Sequence, residues 1–137
     1  MKKIILSIIL TWSVGIVHAE TIVDVSKIAG KSQEDVATYL GKEISCSKGK
    51  HGNKCQYNKG EVEVVFINGK ADWITVEGIN NIPFTKSALN ALGLQETRPS
   101  FKNNFTLRWE GIQGLRSVSL FKGASKSDYA YIKVKTK

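Results

Sequence analysis

Glu61-Val62-Glu63-Val64-Val65-Phe66-Ile67-Asn68-Gly69-Lys70-Ala71-Asp72-Trp73-Ile74-Thr75-Val76 is the stretch whose reading decides the fold. Both flanks are rich in β-branched and aromatic residues, and Asn-Gly between them is the strongest short hairpin signal, because both central positions of a type I′ turn need positive φ. A two-residue turn pairs Ile67 with Lys70. Strict alternation then sets Phe66 opposite Ala71, Val64 opposite Trp73 and Val62 opposite Thr75 on an apolar face. The other face carries Glu61, Glu63 and Asp72, mixed with Val65, Ile67 and Ile74.

Upstream, Ser32 is placed to cap a helix running to Leu40. Glu34 and Asp35 sit in its first turn, Val36 and Leu40 form an i, i+4 apolar pair, and Gly41 stops it. Gln56-Tyr57-Asn58 is read as a short strand before the hairpin. The second half follows the same order. Thr85 caps a helix over Lys86 to Leu92 and Gly93 stops it. Phe84 and Leu89 are spaced as a hydrophobic staple. Strands are expected over Asn104 to Glu110, Leu115 to Phe121 and Tyr129 to Lys135. The chain thus reads helix–β–β–β twice, an internal repeat over 31–77 and 83–136. The fold class expected is α+β: tandem helix–β–β–β units forming an antiparallel sheet with helices packed on one face.

The helix ending Leu40-Gly41, the strand holding Tyr57 and the run from Glu63 to Lys70 resemble a small periplasmic fold. It is shared by the outer-membrane-assembly lipoprotein BamE (SmpA/OmlA) and the β-lactamase inhibitor protein. The resemblance is strongest over Lys31 to Val76. It implies a non-enzymatic envelope protein that works by binding other proteins. The lipidated cysteine of the first family has no counterpart here.

The first nineteen residues give the address. Lys2 and Lys3 precede Ile4-Ile5-Leu6-Ser7-Ile8-Ile9-Leu10, and Val17-His18-Ala19 has the form of a signal-peptidase site. Ile4 to Val17 spans fourteen residues and includes Ser7, Thr11, Ser13 and Gly15, too short and too polar to span a bilayer. Residues 1–19 are therefore expected to be a cleaved signal peptide, and 20–137 a single periplasmic or secreted domain with no stable membrane anchor. Beyond the signal the chain carries 18 Lys+Arg against 12 Asp+Glu, a net charge of +6.

A positive balance favours an acidic partner, and an acidic protein of the cell envelope is the partner expected here. No nucleic acid is expected. The basic residues are spread along the chain, and a basic balance is also a plain device for solubility.

Cys46 and Cys55 are the only cysteines, nine residues apart in an exported domain, and are expected to form a disulfide. A loop of that length gains about 2–3 kcal/mol from the chain-entropy effect. It encloses Lys48, Lys50, His51 and Lys54. The loop is read either as a stapled binding loop or as a stabilised surface turn.

Tyr129, Tyr131 and Lys133 alternate on one side of the last strand, and Trp109 lies near a turn. These aromatic and basic residues are the further candidates for partner contact.

No catalytic set is found. His51 is the only histidine beyond the signal, and it sits in a glycine-flanked lysine loop that would orient a catalytic group poorly. Cys46, His51 and Cys55 lack a fourth zinc ligand, so no metal or cofactor is expected. Glu61, Glu63 and Asp72 on one sheet face leave open a small cell-wall hydrolase. The leading expectation is a protein-binding module, an inhibitor or immunity protein against an envelope enzyme or toxin. An outer-membrane assembly or secretion accessory is the alternative.

Overall fold

A computed structural model describes residues 20–135. The signal-peptide reading falls on residues 1–19, outside the described residues. A single eight-stranded antiparallel sheet dominates. Its strands are β1 (Ser45–Lys48), β2 (Asn53–Tyr57), β3 (Val62–Ile67), β4 (Lys70–Val76), β5 (Phe101–Lys102), β6 (Thr106–Glu110), β7 (Ser117–Lys122) and β8 (Ser127–Lys133). Their order across the sheet is β1-β2-β3-β4-β8-β7-β6-β5. Two four-strand meanders therefore meet where β4 pairs with β8, through Trp73 with Lys133 and Val76 with Ala130.

Two short helices accompany the sheet, α1 (Gln33–Leu40) and α2 (Ala88–Ala91). This overturns the tandem helix–β–β–β α+β arrangement. Two segments read as loop are paired strand: the residues around the cystine form β1 and the start of β2, whose end at Gln56 and Tyr57 falls on the short strand expected there, and Phe101–Lys102 adds β5. The expected Lys86–Leu92 helix shrinks to four residues. Thr85 Oγ1 lies 2.6 Å from Ser87 Oγ, and Ser87, at the N-cap, makes no side-chain capping bond. The helix α1 does have its cap, Asp35 N–H donating to Ser32 Oγ at 3.1 Å, and Gly41 ends it at φ 90°.

The core lies against one face of the sheet. Following the register, Cys55, Val64, Ile74, Ile132, Val118 and Trp109 form one row, and Tyr57, Val62, Val76, Ala130, Leu120 and Leu107 form the next; all are buried. Val36 and Leu40 of α1 and Ala88 and Leu89 of α2 belong to the same cluster.

So do Val23, Val25 and Ile28, which lie in a stretch that has no helix or strand periodicity. That stretch is a strap across both halves. Ile22 and Val23 N–H donate to Ala91 O, Val25 N–H to Leu92 O and Gly30 N–H to Ala71 O, and Ala71 N–H donates to Lys31 O.

The central hairpin forms as expected at Asn68-Gly69, with φ 53° and 76°. Its register shifts between Val65 and Phe66: Phe66 pairs with Ala71, but Val65 pairs with Trp73 and Val64 with Ile74. Asp72 is the extra residue of a β-bulge. One inserted residue moves every later side chain to the opposite face. Ile74 and Val76 join the core, and Trp73 and Thr75 turn to the open face. Asp72 is held where it stands: its carbonyl accepts Val134 N–H at 2.8 Å and its Oδ1 accepts Lys135 N–H at 3.0 Å.

Candidate functional site: an aromatic and basic cleft on the open sheet face

The face turned away from the core carries two cross-strand rows. One runs Lys54, Val65, Trp73, Lys133, Ser117, Glu110; the next runs Gln56, Glu63, Thr75, Tyr131, Ser119, Arg108, Phe101. Tyr129 and Phe121 pair beyond them, with rings stacked at 4.7 Å. Tyr129, Tyr131 and Lys133 thus share one face. Lys133 Nζ lies 5.8 Å from the centre of the Tyr131 ring.

The disulfide bridges Cys46 and Cys55, which face each other across β1 and β2 with Cα atoms 4.1 Å apart. The stapled segment is a hairpin. Its turn closes with Gly49 N–H donating to Gly52 O at 2.9 Å. Gly52 has φ 150°, and a Cβ there would stand 1.9 Å from the Phe66 carbonyl oxygen, so only glycine lets the turn lie this close to β3. The close approach brings the hairpin tip over the open face. The His51 ring meets Trp73 edge-on at 4.8 Å.

Between tip and sheet lies a cleft of about 350 Å³, lined by Lys50, His51, Lys54, Glu63, Trp73 and Tyr131 among others. Lys54 Nζ approaches Glu63 Oε1 at 3.7 Å; both are partly exposed, so the pair contributes little to stability. The Tyr131 hydroxyl has its pKa raised, first by burial and then by the Asp72 carboxylate, so it stays a neutral donor at any physiological pH.

The structure sorts the other candidates differently. Lys48 pairs with Asn53 and so lies on the face of Cys46 and Cys55, away from Lys54 and outside the cleft. Trp109 is 1% exposed in the core, its Nε1–H donating to Thr97 O at 2.9 Å, and offers a partner no surface. Trp73 takes the place the sequence reading gave to Trp109. Its signal was the mixture of Asp72 with Ile74 on one side of the strict alternation, which an extra residue at Asp72 resolves.

Glu61, Glu63 and Asp72 are not gathered into one cluster. Glu61 ends a 3-10 turn (Lys59–Glu61), Glu63 faces the cleft and Asp72 occupies the bulge. Among the described residues no three His, Cys, Asp or Glu gather to hold a metal, and no helix is long and apolar enough to cross a membrane.

No family model and no curated protein matches the chain. Its fold is similar to that of an extracellular protein containing a SCP domain from Bacillus anthracis str. Ames, at a TM-score of 0.55 and 11% identity. The match covers 90% of this chain and 50% of that one, so the chain spans half of its neighbour's length. At that identity the likeness is one of fold. The cystine is consistent with a secreted protein.

Proposed function

We propose that this is an exported, non-enzymatic binding protein that docks its open sheet face and cystine hairpin onto an acidic protein of the cell envelope. An enzyme or toxin held inactive by occlusion is the partner class that suits a small rigid module of this kind. The reading places the mature protein, Glu20 to Lys137, in the periplasm or outside the cell.

The observation that carries it is the cleft under the hairpin. Trp73, Tyr131 and His51 offer flat amphipathic surface there, and Lys50 and Lys54 stand at its side. Tyr and Trp dominate the energetics of protein interfaces, where a desolvated anchor ringed by polar groups contributes most. A partner side chain entering between His51 and Tyr131, with a carboxylate beside it for Lys50 or Lys54, satisfies both chemistries. The backbone around the cleft is fixed by sheet pairing and the disulfide, so little ordering entropy is lost on binding.

The test is affinity capture from envelope extract with the mature domain as bait. One stoichiometric acidic partner is expected. It should be lost with Trp73→Ala and with Lys50→Glu/Lys54→Glu, and kept with Lys48→Glu, which reverses a charge on the opposite face. Capture that survives the double reversal overturns the reading.

A further inference from the structure

A second cleft lies on the other side of the sheet. Its floor includes Leu107, a core-face residue of β6, whereas the Trp73 cleft opens on the opposite face. It measures about 560 Å³ and is lined by Phe84, Thr85, Lys86, Arg98, Pro99, Ser100, Lys102 and Leu107.

Three cations and two hydroxyl residues border this cleft, and no carboxylate does. The side chains of Lys86, Arg98 and Lys102 make no ion pair or hydrogen bond among the described residues. Three like charges around one hollow raise its positive potential, and an anion there relieves their repulsion.

The walls are anchored. Trp109 Nε1–H holds Thr97 O beside Arg98, Ser100 N–H donates to Arg108 O at 2.8 Å, and Ser100 Oγ accepts Glu110 N–H at 3.0 Å. On the facing wall, Ser127 N–H donates to Ile82 O and Ser127 Oγ to Pro83 O. The cations therefore rise from fixed backbone on both sides, from the Phe84–Lys86 segment and from Arg98–Lys102.

We infer that this cleft is a binding site for a tetrahedral oxyanion, a phosphate or sulfate ester, carried on an apolar or ring-shaped body. Arg98 supplies a planar fork that matches two oxygens of such a group, and Lys86 and Lys102 supply point charges. Thr85 and Ser100 bring hydroxyls to the same rim. Phe84, Pro99 and Leu107 receive the carrier. The volume is that of a small-molecule pocket, larger than a bare tetrahedral anion fills. The site is independent of the proposed docking face.

Phenyl phosphate, phenyl sulfate and inorganic phosphate, titrated into the mature domain at 150 mM NaCl and followed by amide chemical shifts, test this. Saturable binding of a phenyl ester is expected, at least tenfold tighter than inorganic phosphate, with shifts centred on residues 84–86 and 98–102. Which ester binds tighter names the natural head group. Arg98→Ala should weaken binding at least tenfold. Lys86→Ala/Lys102→Ala should do the same through two exposed side chains whose loss leaves the core intact. Lys50→Glu/Lys54→Glu should leave it unchanged. Absence of saturation, indifference to Arg98→Ala, or equal loss in the Lys50/Lys54 variant overturns the site.

Discussion

Trp73 and Trp109 show how much one residue's address matters. They have the same side chain and both lie on strands, yet one lines a cleft and the other is sealed in the core. Truncating Trp109 to Ala should cost about 3–5 kcal/mol of folding stability, read by urea denaturation, because it empties a packed site and leaves Thr97 O without its donor. Truncating Trp73 should cost far less stability. It should weaken partner binding by about 2 kcal/mol or more, some thirtyfold, in a calorimetric titration.

Tyr57 makes a different residue-scale prediction. Its hydroxyl is buried with no hydrogen-bond partner among the described residues, and its pKa is pushed up to about 12, first by burial and then by the Glu43 carboxylate. The folded state therefore holds the phenol proton that the unfolded chain releases near pH 10. Below pH 10 both states are neutral and the group leaves stability unchanged. From pH 10 to about 12 the unfolded state gains, at about 1.4 kcal/mol per pH unit. Tyr57→Phe should remove that alkaline loss and be neutral or stabilising at pH 7, since it deletes an unsatisfied buried group. Denaturation of both proteins at pH 7 and pH 11 decides it.

At the scale of elements, the central hairpin was legible because its signals are local. Asn68-Gly69 demands positive φ, and the flanking residues favour strand whatever surrounds them. The helix α1 was legible for the same reason, through Ser32 and Gly41. The Asp72 bulge was not, since its anchors are the amides of Val134 and Lys135, more than sixty residues away.

The cystine hairpin was legible as a disulfide, and as strand only at Gln56 and Tyr57. Lys48 to Lys54 has no hydrophobic alternation, and its strand character comes from pairing, β1 with β2 and β2 with β3. Two predictions belong here. Cys46→Ala/Cys55→Ala should lower stability by about 2–3 kcal/mol. Gly52→Ala, which drives a Cβ into the Phe66 carbonyl, should cost about 2 kcal/mol or more and break the His51–Trp73 contact. Its loss is visible as a change in Trp73 fluorescence or in the His51 ring shifts.

At the scale of the whole molecule, the strap of residues 22–31 joins the two meanders. It bonds to Ala91 and Leu92 on one side and to Ala71 on the other, and buries Val23, Val25 and Ile28. Ile28→Ala should destabilise by about 2–5 kcal/mol. Because the strap and the β4–β8 seam both span the halves, the loss should appear as one shifted thermal transition rather than two, which calorimetry resolves.

The sequence by itself determined what depends on neighbours in the chain: the Asn-Gly turn, the capped first helix, the strand character of most of the sheet and the pairing of the only two cysteines. It also supplied the basic and aromatic residues from which both clefts are made. Only the tertiary structure decided which of them meet. A strand's faces exchange with a single inserted residue, a polar loop becomes a strand when an edge is offered to it, and a segment without periodicity becomes core when two halves close on it. Each of these choices is made by contacts between residues far apart in the chain, and the local pattern does not encode them.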